Sequence, residues 1–283
     1  MVKLRSNSGL DELNAIKVAK DTMENIGAFI KALNKVGGKL ESGVDMMPKI
    51  IQKWLQKHVN KLLMGIVKTN IISMQKGEAF KKPSEKTYKA LVTSSGAISG
   101  AFGSTTGVGT VIFLSELALS TKFMMRSIID IARSHGENIQ EFDTQLACMQ
   151  VFALGGTSKD DDGAETSYYS TRVATNISVK KASEFIAKNG LSSLNKAFTS
   201  STNPILKFIG SIAARFMTQV SEKFIAQAIP ILGAAGGGAI NLVFINHFQK
   251  MAEAHFSIRQ LERKYGEKLV KEVYESIKLE KKN

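Results

Sequence analysis

Cysteine occurs once in the 283 residues, at Cys148. A lone thiol excludes an intramolecular disulfide framework and fits a reducing compartment. Proline occurs only four times, and β-branched alternation is rare, which favours helices over strands. The start, MVKLRSNSGLDELN, is basic but has no continuous apolar run, so no secretory signal is read there. The usual catalytic signatures are missing as well. There is no G-x-S-x-G elbow and no H-E-x-x-H pair, and the TTGVGT run lacks the lysine of a phosphate-binding loop. No cofactor is expected.

Basic residues are plentiful. The chain carries 38 Lys and Arg against 25 Asp and Glu, a net +13. Residues 1–90 hold 17 basic and 8 acidic residues, whereas residues 91–150 hold 3 and 5. That asymmetry suits an anionic partner, lipid headgroups or nucleic acid. Few aromatics accompany the lysines and no nucleic-acid module is recognisable, so nucleic acid is the weaker choice.

The N-terminal third predicts two helices. From Leu13 to Leu40, Ile16, Met23 and Ile30 form one apolar row and Ala19, Ile26, Leu33 and Leu40 another, closed by Gly37-Gly38. Asp45 and Pro48 then start a helix in which Lys49, Lys53, Lys57 and Lys61 recur every four residues. Ile51, Leu55, Leu62 and Ile66 oppose them, with Trp54 beside the lysines. A basic stripe, an apolar face and a flanking tryptophan suit either an interfacial membrane helix or the solvated side of a core helix.

Two long stretches carry no charge. Residues 90–115 hold 12 apolar residues, 5 glycines and 9 serines or threonines, and residues 224–249 hold 16 apolar residues, 4 glycines and Pro230. Each is long enough to span a bilayer. The hydroxyls of the first, and Pro230 with Gly236-Gly237-Gly238 in the second, argue instead for buried helical hairpins. Gly96, Gly100, Gly103, Gly107, Gly233 and Gly237 are the expected close-packing positions. Further helices are expected over 111–134, from the His135-Gly136 turn to Leu154, from Ser170 to about Ala228 with a pause at 199–204, and over 267–281. The last is charged nearly all round and reads as exposed. Residues 155–167 read as a long loop. Its Asp160-Asp161-Asp162 run lacks the alternating ligands of a calcium loop.

Three polar residues stand out. Glu116 interrupts apolar sequence, so it is expected to be buried and to need a partner. Arg126, ten residues on, is too far along a straight helix, which leaves Arg259 as the expected partner. Cys148 reads as a small apolar filler. His247 and His255 lack a carboxylate in register, so no metal is expected.

The glycine-rich run followed by Glu116, Arg126 and His135-Gly136 resembles the middle block of the EcsC family. Ile229-Pro230-Ile231-Leu232-Gly233-Ala234, Asn241, Ala252, Phe256 and Arg259 resemble its C-terminal block. Glu116 stands where that family commonly has aspartate, and His135 where it has tyrosine. The resemblance implies a bacterial, membrane-linked setting beside an ABC transporter, and no established reaction. The expectation is therefore an all-α multi-helix bundle with two glycine-containing apolar hairpins at its centre. It divides into a basic helical region (1–84), an EcsC-like core (85–266) and a polar terminal helix (267–283). Its function is expected to be peripheral association, from the cytoplasmic side, with an anionic membrane surface or lipid. The alternatives are a lipid-directed hydrolase using Glu116, Arg126 or Arg259, and a membrane-inserting helical protein.

Overall fold

The structure, a computed structural model, describes residues 7–24, 29, 31–33, 49–75, 85–102, 107–154, 168–190, 203–227 and 233–279. Among them all regular structure is helical: α1 (Asn7–Glu24), α2 (Lys49–Gln75), α3 (Glu85–Phe102), α4 (Gly107–Ser134), α5 (Phe142–Gln150), α6 (Tyr168–Asn189), α7 (Pro204–Gln227), α8 (Gly233–Tyr265) and α9 (Glu267–Ser276). A single 3₁₀ turn, Val151–Ala153, continues α5.

Helix α8 is the axis of the bundle. It packs along α3 and also against α1, α4, α7 and α9, while α7 packs on α2 and α6. Apolar residues at helical spacing supply the core, including Leu55, Val59 and Leu63 of α2, Phe208, Ile212 and Phe216 of α7, and Phe244, Phe248 and Phe256 of α8. The rings of Phe152, Phe216, Phe244 and Phe248 meet in pairs with centroids 5.0 to 6.2 Å apart, edge-on or tilted as aromatic quadrupoles prefer.

Helices α3 and α8 run antiparallel and almost touch. A Cβ added to Gly96 would fall under 3.0 Å from the Asn241 side chain and the Gly237 carbonyl, and one on Gly238 would sit 3.3 Å from the Thr93 carbonyl. Small residues here let two backbones approach. Gly100, Gly107 and Gly233 are helical residues; Gly103 lies outside the described residues.

Several boundaries differ from expectation. Gly236-Gly237-Gly238 does not break the second apolar segment: α8 runs through it. Glycine costs helix stability in solution, but here these residues are buried under α3. Residues 228–232, Gly37-Gly38 and residues 155–167 lie outside the described residues. Helix α9 is not exposed all round. Val270 and Tyr274 are buried, and Lys20 of α1 donates to the Tyr274 carbonyl at 2.9 Å. Four-residue spacing of two apolar residues among charges was enough to make a buried face. The predicted turn after α4 is present. Gly136 has φ +76°, and the Glu137 N–H reaches the Ala132 carbonyl at 3.1 Å, a glycine-terminated helix end.

Gly96→Val is expected to destabilise the fold by roughly 1–3 kcal/mol through overpacking, read as a lower midpoint in urea. Gly210→Ala, where a Cβ meets nothing within 4 Å, is expected to be tolerated.

Candidate functional site

Glu116 is 5 % exposed and Lys223 is fully covered. The Lys223 ammonium lies 2.8 Å from Glu116 Oε2 and 3.1 Å from Oε1. Asn241 of α8 donates to Glu116 Oε1 at 2.6 Å and to the Val92 carbonyl at 2.7 Å. Ser95 of α3 and Ser120 of α4 complete the cluster at 3.4 Å from Glu116 and Lys223 respectively. The Lys223 ammonium also stands 4.9 Å from the Phe244 ring centre. Helices α3, α4, α7 and α8 thus meet at one carboxylate. Burial lowers the Lys223 pKa, and the neighbouring Glu116 opposes that shift.

The expected Glu116–Arg259 pair does not form. Arg259 lies five turns beyond Asn241 on α8 and binds Glu137 at 2.9 and 3.1 Å, with Asp143 at 3.4 Å. Arg263 also contacts Glu137, and Thr144 donates to it at 3.1 Å. Burial alone would raise the Glu137 pKa, but the Arg259 and Arg263 guanidiniums hold it below the usual carboxylate range. Arg126 joins neither centre; its charge acts on the Tyr88–Asp130 pair, in which the Tyr88 hydroxyl donates at 3.0 Å.

The partner that sequence reasoning missed, Lys223, had a visible signal. Glu222 and Lys223 are the only charged residues between Arg215 and Lys250. Charges isolated in apolar sequence are either paired or neutral, and the two residues divide in that way. Lys223 has Glu116. Glu222 is buried with no cation or donor against it among the described residues, and desolvation pushes its pKa up to about 8.

The two histidines go to different partners. His247 and Gln219 meet at 3.2 Å, and His255 meets the Tyr168 hydroxyl at 2.9 Å. Burial lowers the pKa of both, that of His247 to about 3. A further buried ion pair joins Arg172 to Glu262 at 2.6 Å, with Tyr169 donating to the same carboxylate oxygen at 3.0 Å. No three metal-ligating side chains gather among the described residues. Cys148 is fully buried, which raises its thiol pKa and fits a packing role.

The lysine-striped helix presents a different chemistry. Lys49, Lys53, Lys57 and Lys61 are all exposed. The 27 residues of α2 include no Asp or Glu, and these four lysines have no carboxylate partner among the described residues. Leu55 and Ile66 are buried on the opposite side, and Ile51, Leu62 and Trp54 pack partly against the core. Trp54 also stacks on His58 with ring centres 4.4 Å apart. Ile50, within the basic face, is 77 % exposed.

A helical bundle locked by buried ion pairs, with one uncompensated basic face, is the class that the fold and its polar centres define. The chain belongs to the EcsC protein family, whose model matches residues 11–261. No curated protein and no solved structure matches it. No helix among the described residues is long and apolar enough to cross a membrane.

Two substitutions test the buried centres. Glu116→Ala strands the Lys223 ammonium and is expected to cost about 3–5 kcal/mol in denaturant unfolding, whereas Glu116→Leu combined with Lys223→Met recovers most of it. Glu222 ionises near 4.5 when unfolded and near 8 when folded, so its burial penalises folding increasingly as pH rises across that window. Glu222→Gln is expected to leave the unfolding free energy unchanged at pH 4 and to raise it at pH 8, by a few kcal/mol at most at ~1.4 kcal/mol per pH unit, read from denaturant midpoints at the two pH values.

Proposed function

We propose that this EcsC family protein is a peripheral membrane protein that docks on anionic lipid surfaces through the basic face of α2. The observation that carries this reading is a 27-residue helix whose first half carries four exposed lysines at four-residue spacing and whose whole length has no acidic residue to neutralise them. Solvated helix faces normally mix both signs, since opposite charges at i,i+4 stabilise the helix; α2 forgoes that gain and accumulates like charge. Such a face gains energy only against an anionic partner. Exposed Ile50 and half-buried Trp54 add the apolar and amphipathic elements typical of interfacial helices.

A membrane surface is favoured over nucleic acid because the most exposed apolar side chain of the face is the aliphatic Ile50. The two aromatic rings of the face, Trp54 and His58, pack on each other, and Trp54 also lies partly against the core, away from the role of a base platform. The reading agrees with the transporter-linked bacterial setting that the family resemblance implies, and it places the protein at the cytoplasmic face. The hydrolase reading required Glu116 and Arg259 in one site, and the structure separates them into different clusters.

Vesicle sedimentation tests the proposal. The protein is expected to pellet with phosphatidylcholine vesicles containing phosphatidylglycerol, less so as salt is raised, and to ignore phosphatidylcholine alone. At about 1 kcal/mol per lysine near the surface, Lys53→Glu with Lys57→Glu removes most of the binding. Equal pelleting of that variant and the native chain would reject the basic face as the contact.

A further inference from the structure

The basic face of α2 does not end at solvent. Beyond Lys61 it opens into a groove of about 240 Å³ between α2 and α4. Lys61, Gly65 and Thr69 follow one another at four-residue spacing along one wall, and Ala118 and Lys122 form the other. Leu62 and Ile66 lie at its base, Ile66 being 5 % exposed. We infer that this groove seats one anionic phospholipid, its phosphate between Lys61 and Lys122 and the start of its acyl chain on Leu62, Ile66 and Ala118.

Three observations favour that occupant. First, both lysines are exposed and neither has a carboxylate partner among the described residues, so the mouth of the groove holds two cations from separate helices. Charge of one sign on opposite walls attracts an anion able to bridge them. Second, the space between is apolar. A soluble inorganic anion gains nothing from an aliphatic base, whereas an amphiphile satisfies both parts, and long lysine stems line such a boundary with their heads in water. Third, the opening is kept clear by a glycine. A Cβ at Gly65 would meet nothing within 4 Å, so this glycine is not required by backbone packing at that point. On α4, Val111 is 64 % and Leu119 is 45 % exposed. Val111, Ala118 and Lys122 fall at i, i+7 and i+11, on one helix face, so apolar surface continues from the groove along α4. The Thr69 hydroxyl supplies a neutral donor at the far end.

The inference rests on the membrane reading of α2 but is separable from it. A short-chain lipid kept below its micelle concentration presents the headgroup and chain without a bilayer. Calorimetry with the full chain and dihexanoylphosphatidylglycerol is expected to show saturable binding. Dihexanoylphosphatidylcholine and inorganic phosphate are expected to bind at least roughly tenfold more weakly. Gly65→Trp, which fills the groove, and Lys61→Gln with Lys122→Gln, which discharges it, are each expected to weaken binding by about tenfold or more. If Gly65→Trp fails to fold by circular dichroism, the lysine pair decides, since both side chains are exposed. Lys53→Glu with Lys57→Glu is expected to abolish vesicle sedimentation yet keep short-chain lipid binding. No calorimetric binding, unaltered binding by the lysine pair, or equal affinity for inorganic phosphate would each overturn the groove. Calorimetric binding without vesicle sedimentation would overturn the α2 docking face and leave the groove standing.

Discussion

The buried ion pair between Glu116 and Lys223 sets the terms for the rest of the bundle. Two charges removed from water carry a desolvation cost of several kcal/mol each, and only close geometry with additional hydrogen bonds offsets it. Here the offset comes from Asn241 and Ser95, with Ser120 on the ammonium side. Each belongs to a helix whose backbone must sit at one height for the contact to exist. Sliding α3 along α8 by one turn would separate Asn241 from Val92 and Glu116 together. The pair therefore selects one register from the many that a smooth apolar interface tolerates. Gly96 is what makes the selection sterically feasible, because any larger residue collides with Asn241.

Helix α8 repeats that device along its length. Gln249 donates to Ser127 of α4 at 2.8 Å, His247 meets Gln219 of α7, His255 meets Tyr168 of α6, Arg259 binds Glu137 and Glu262 binds Arg172. Polar side chains leave this 33-residue helix toward different neighbours, and most are buried at the contact. The apolar core supplies bulk stabilisation in proportion to area, with little preference among rotations of a helix. The polar contacts supply that preference. The exposed surface is organised by the opposite rule, since α2 concentrates cations that no carboxylate answers among the described residues.

Helical class, the hairpin before Glu116 and the buried side of α2 were legible in the sequence, since each depends on periodicity or on a glycine cluster. The burial of Glu116 was legible for a similar reason: an acid inside apolar sequence has few other options. Its partner was not. Proximity along α8 pointed to Arg259, but pairing is decided by which helices cross at that height, and α7 brings Lys223 there instead. The run Gly236-Gly237-Gly238 misled because helix propensity describes a solvated helix, whereas close packing of α3 changes the balance at those positions. Helix α9 was read as exposed because its charges outnumber its apolar residues, although Val270 and Tyr274 alone suffice to dock it. The groove beside Gly65 depends on the spacing between two helices distant in sequence, which no local pattern records.

The clasp between the first and last helices has a consequence for how the chain is made. Lys20 reaches Tyr274 across 254 positions, and Lys264 and Tyr265 both bind Glu12. During synthesis α1 leaves the ribosome well before the surfaces it covers on α8 and α9. Contacts so distant in sequence form late, after the entropy of closing the loop has been met. Until α8 and α9 have been made, Ile16, Ala19 and Met23 of α1 lack that cover. Closure of the bundle thus depends on its later helices, and α1 is fitted only after the helices that cover it, although it is made before them.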